Sequence, residues 1–134
     1  MASNFSKLLE TIETENKALA QARGRLGLAY EKLDGRLTRF DARARIEPYE
    51  VEKKSELMIG YRRFEQRWSI STLVVGVAGL KAEVPVAETS PDTQAALMPH
   101  VAGLLKKVGD AIAADVKSAR QAVDEAESLL AALP

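Results

Sequence analysis

Apolar residues recur through the first third of the chain at an interval of seven: Phe5, Ile12, Leu19, Leu26, Leu33 and Phe40. A second column, four residues on, reads Leu9, Asn16, Arg23, Tyr30, Leu37 and Ala44. One apolar and one mixed column, sustained for almost six heptads, predict a long helix with a coiled-coil seam. Ser3 or Asn4 can cap its start, where a side-chain oxygen accepts an orphan amide hydrogen. Its end is expected near Ile46, because Glu47 precedes Pro48 and a proline disfavours helical geometry in the residue before it. A helix over about residues 4–46 would be about 60 Å long.

Pro48 suits the first turn of a second helix, where its missing N–H costs nothing. Glu50, Glu52 and Glu56 follow on the side favoured by the helix dipole. Leu57, Tyr61, Phe64, Trp68 and Val75 then mark one apolar face, predicting a helix over about 48–79. Residues 69–87 can be read two ways. Leu80, Ala82, Val84 and Val86 alternate with Lys81, Glu83 and Pro85, the period of a β-hairpin turning at Gly76–Gly79. The helical reading is preferred, because it matches the flanking helices in length and Pro85 cannot donate to a central ladder.

Ser90-Pro91-Asp92 is a helix start, with a capping serine, proline at the first helical position and an early acid. Leu97, Val101, Leu104, Val108, Ile112, Ala119, Val123, Ala126, Leu130 and Leu133 continue as one stripe. They predict a third helix over about 91–133, kinked at Pro99. The expected fold is a single all-α domain over 1–134, an elongated up-down-up three-helix bundle with coiled-coil-like long helices. A small β-hairpin at 69–87 is the alternative for its middle. In such a bundle helix 1 runs parallel to helix 3, and its basic end, Arg36 to Arg45, lies beside Asp124, Glu125 and Glu127.

Composition narrows function more than it names it. Nineteen Lys and Arg balance nineteen Asp and Glu, which argues against a whole-protein polyanion binder. The absence of cysteine excludes disulfides, Cys-ligated zinc, iron–sulfur ligation and thiol catalysis. A single histidine, His100, rules out a multi-His metal site within one chain. The N-terminus has no signal-peptide pattern. The longest apolar stretch, Ile70 to Leu80, has eleven residues where a bilayer span needs roughly 20. A soluble, cytoplasmic protein is the expectation.

Lys32, Arg36, Arg39 and Arg43 share one face of helix 1, and Arg62 and Arg63 would return to a similar level. This stripe is a candidate phosphate or partner contact. Tyr61, Phe64 and Trp68 are interleaved with arginines as in single-strand binders, but the same letters fit a buried face. His100 has no motif partner for general-base work. No cofactor site is indicated, and no arrangement reads as an active site. The mixed seam carries the most information, since polar residues such as Asn16 at seam positions set register and partner number. The sequence therefore predicts a non-enzymatic interaction or assembly protein acting through helix faces, with self or another protein as partner. A nucleic-acid binder using the arginine stripe is the alternative.

Overall fold

The first helix stops well short of Pro48, and the reason is local. Asp41 adopts a left-handed conformation at φ 56°. Its N–H donates to the Thr38 carbonyl at 3.0 Å, while the Ala42 N–H donates to the Leu37 carbonyl at 3.2 Å. This pair of bonds closes a helix C-terminus in the Schellman manner, with aspartate in the place usually taken by glycine. The computed structural model describes residues 2–53 and 55–134. In it α1 spans Ala2–Arg39 rather than reaching residue 46. Asn4 is already inside that helix, and the cap proposed at Ser3 lies outside the described side chains.

The predicted second helix is absent. In its place are three strands, β1 (Ile46–Glu50), β2 (Met58–Phe64) and β3 (Arg67–Val75). Strand β4 (Lys81–Pro85) follows a one-turn 3-10 helix at Val77–Gly79. A second such turn, Val86–Glu88, leads into α2, Pro91–Ala131. The four strands form an antiparallel meander in the order β1-β2-β3-β4. The fold is thus α+β, and the three-helix bundle is overturned.

The physical cause is visible residue by residue. The face Tyr61, Phe64, Trp68 fits helical spacing, but Phe64 pairs with Arg67 across a two-residue turn. That turn is Glu65-Gln66, with Glu65 at φ 57°. No Gly, Asn or Asp announces it, although those residues tolerate such a turn at least cost. Pro48 sits where the β1–β2 register slips between Ile46 and Tyr49. A bulge on an edge strand is one of the few places in a sheet that accepts a residue without an N–H. The run Ile70 to Val75, rich in β-branched residues, then finds cross-strand partners, Ile70 and Ser71 on β2 and Ser71 to Val75 on β4, which favours strand over helix.

One face of the sheet carries Ile59, Tyr61 and Ile70, which pack with Tyr30 of α1 and with Leu97, Val101, Leu104 and Val108 of α2. Tyr61 stacks on Trp68 with ring centroids 5.3 Å apart. Ser90 caps α2, its hydroxyl accepting from the Thr93 N–H at 3.3 Å. The helix runs on through Pro99. Gln94, buried in the first turn of α2, donates its side-chain amide to the carbonyls of Val86, Ala87 and Thr89 at 3.3 Å each. It thereby ties the sheet exit to the helix start. Gln94→Leu is expected to cost about 1–3 kcal/mol, the desolvation cost of orphaned acceptors, measured as a lower urea midpoint. An unchanged midpoint would remove this role.

The two helices lie side by side and point the same way. Arg23 reaches Asp92 at 3.3 Å and the Tyr30 hydroxyl donates to the Gln94 carbonyl at 2.7 Å. Further along, Leu37 and Phe40 border the same groove as Leu105, Val108 and Ile112. The pair is staggered, so each helix extends beyond the other at opposite ends. Every residue of 4–25 in α1 and of 113–131 in α2 is exposed, which leaves two arms of about 30 Å each.

Candidate functional site

Three features are candidates: a polar cleft, a charged network on the open face of the sheet, and the two arms. The cleft, about 710 Å³, lies between α1, the β2–β3 turn and the end of β4, lined by Glu31, Asp34, Arg62, Arg63, Arg67 and Glu88 among others. Its most buried member is Asp34, only 2% exposed. β4 covers β3 only from Ser71 onward, which leaves residues 68–70 without a strand partner on that side. Two α1 side chains one turn apart fill the gap. The Ile70 N–H donates to Asp34 Oδ1 at 3.0 Å. Thr38 Oγ1 both accepts from the Trp68 N–H at 3.1 Å and donates to the Trp68 carbonyl at 3.2 Å. Such edge groups must be paired when buried.

Burial pushes the Asp34 carboxyl up to about 6. The Ile70 and Ser69 hydrogen bonds and the charge of Arg67 oppose that rise, while Glu31 adds to it. Burial, with the Asp34 charge second, pushes the Tyr30 phenol up to about 12 and raises that of Tyr61 as well. The Tyr61 hydroxyl is buried without a hydrogen-bond partner among the described residues. A carboxyl held near neutrality can exchange a proton, but here its oxygen serves to close a strand edge.

On the opposite face of the sheet Gly60, Arg62, Ser69, Ser71 and Glu83 lie together by register. The Glu83 carboxylate, its side chain 6% exposed, accepts from the Ser71 hydroxyl at 2.7 Å. It also lies 3.4 Å from Arg45 and 3.5 Å from Arg62.

The predicted arginine stripe is divided by this fold. Lys32, Arg36 and Arg39 are exposed on α1, with no acid within ion-pair distance among the described residues. Arg43 has left the helix and pairs with Asp41 at 2.8 Å. Arg62 is engaged by Glu83, and Arg63 donates to the Glu65 carbonyl at 3.0 Å. Adjacent strand residues point to opposite faces, so Arg62 and Arg63 do not share a face, and both border the cleft beside Glu31 and Asp34 instead of continuing the Lys32–Arg39 row. The expected neutralisation by helix-3 acids is also absent, because Asp124, Glu125 and Glu127 lie on the α2 arm, beyond the end of α1. His100 stands 3.6 Å from Glu52.

The heptad seam divides as well. Leu26 and Leu33 pack against the core. Phe5, Ile12 and Leu19 stand 68%, 62% and 47% exposed on the α1 arm, and Phe40 is exposed at the helix end. The α2 arm similarly exposes Val116, Val123, Leu130 and Leu133. Patches of exposed apolar surface mark interaction sites.

Asp34, Glu83 and Gln94 are not among the sequence candidates. An acid between Tyr30, Leu33 and Leu37, on the apolar face of the helix, was the available signal for the first. Glu83 and Gln94 had none, since their partners lie in other elements. No family model, curated protein or solved structure matches this chain. No described helix is long and apolar enough to cross a membrane.

Proposed function

We propose that this protein is a non-enzymatic assembly module of the cytoplasm that associates through the apolar stripes of its two helical arms, with itself or with another protein's helices. One observation carries the reading: both long helices leave the core at opposite ends with their apolar columns exposed, only Val116 and Ala119 among the described apolar arm residues sharing a groove with Phe40. The core fixes the direction of each arm, through Tyr30–Gln94 at one end and the Leu37–Leu105 contact zone at the other. Nucleic-acid binding is the weaker reading, because, of the predicted stripe, Lys32, Arg36 and Arg39 alone share an exposed face with no acid within ion-pair distance among the described residues.

Light scattering on the full chain tests the proposal. The mass should exceed 14.6 kDa and rise with concentration. Ile12→Asp or Val123→Asp should lower it, while the thermal midpoint of the core moves by only about 1–2 °C, since surface changes cost within about 0.5 kcal/mol. A mass of one chain at every concentration, unchanged by either substitution and with no protein partner retained, would sink the idea.

A further inference from the structure

We infer that the α2 arm pairs with the α2 arm of a second copy, antiparallel, with Arg120 of each chain facing Glu127 of the other. This rests on the arms being interfaces and says which arm meets what. Beyond Ile112 the apolar positions Val116, Ala119, Val123, Ala126, Leu130 and Leu133 alternate at spacings of three and four, an unbroken coiled-coil seam. Placing Val116 against Leu133, Ala119 against Leu130 and Val123 against Ala126 fills every layer with apolar side chains. In that register the flanking positions bring Arg120 to Glu127 twice, once on each side of the two-fold axis, and set Ala122 beside Leu129. Neither Arg120 nor Glu127 has an ion-pair partner within its own chain among the described residues.

Other pairings fit less well. A parallel α2 pair would gain a comparable attraction, Asp115 beside Arg120, but it would bring both cores to the same end, where Leu37 and Phe40 already border the α2 seam as far as Ala119. An antiparallel pair puts the two cores at opposite ends, with Leu130 and Leu133 of each arm meeting the groove that Leu37 and Phe40 border beside Val116 and Ala119 of the other chain. Laying an α1 arm parallel on an α2 arm in the register of fullest overlap would set Glu13 against Asp115 and Glu15 against Glu127. It would also bury Asn16 opposite Val123, with no polar partner. Like charges at flanking positions and an unpaired seam amide both oppose assembly.

The test is a charge swap in the full chain, with the dimer dissociation constant read by sedimentation equilibrium. Arg120→Glu and Glu127→Arg should each weaken the dimer about tenfold or more, since each replaces two attractive pairs with two repulsive ones. The double variant should recover wild-type affinity. Rescue of Arg120→Glu by Asp115→Arg instead would overturn the antiparallel pairing in favour of the parallel one. If neither single variant shifts the constant while Ile12→Asp dissociates the dimer, the α2 pairing is wrong and assembly through the arms stands. A wild-type chain that stays monomeric overturns the α2 pairing and leaves another protein's helices as the only partner open to the arms.

Discussion

Asp34→Asn is expected to make the protein more stable at pH 7 to 8 by about 1–3 kcal/mol and to remove a pH dependence the wild type carries. The carboxyl is buried and titrates near 6 in the folded chain against 3.8 for the ordinary group. The folded state therefore holds this proton more tightly than the unfolded state. Stability from that difference is complete below about pH 4, falls as pH rises through about 6, and is flat above; the total loss is about 3 kcal/mol. An asparagine oxygen can still accept the Ile70 N–H, but carries no charge into the core. Asp34→Ala would leave that N–H unpaired and should destabilise by about 1–3 kcal/mol. Urea unfolding of wild type and Asp34→Asn across pH 4 to 8 isolates the group, because the other acids cancel in the difference. A difference that does not change between pH 4 and 7 would contradict the assignment.

The second large effect is expected at Gly60. A methyl group built there would stand 2.9 Å from the Ile46 carbonyl oxygen, 2.9 Å from the Ser71 hydroxyl and 3.0 Å from the Pro48 nitrogen. Two of those atoms are backbone of β1, and the third is held by Glu83 at 2.7 Å. None can yield without loosening the β1 bulge or the Glu83 network. Gly60→Ala should cost about 2–3 kcal/mol as an overpacking change, a fall of about 10 °C in the thermal midpoint, with faster amide exchange confined to β1 and its β2 partners. A midpoint within about 2 °C of wild type would show that β1 accommodates the methyl group. This glycine is required by close approach, since its backbone angle is one any residue adopts.

These two positions show where the sequence runs out. The seven-residue column of α1 and the Ser90-Pro91-Asp92 helix start are local patterns, and the long helices follow from them because helix bonding is made within a segment. The same columns carry the arm seams, so the candidate interface was legible in Phe5, Ile12, Leu19, Val123 and Leu130. Residues 46–68 were not legible in this way, while the alternation over 80–86 did offer the β3–β4 hairpin, as an alternative to the preferred helix. Tyr61, Phe64 and Trp68 satisfy helical spacing as well as alternation, and the Glu65-Gln66 turn has no turn residue to decide between them. Strand bonding needs partners from elsewhere in the chain, and only those partners settled the matter.

By itself, then, the sequence determined two long amphipathic helices, their apolar stripes and the absence of cysteine chemistry. Tertiary structure alone decided that the middle is a sheet, that Asp34 and Thr38 complete the edge of β3, and that Glu83 collects two arginines. It also decided which part of each stripe is buried and which is left as an arm. Periodicity specifies the direction a side chain faces along its own helix, whereas burial depends on what the rest of the chain brings to that face.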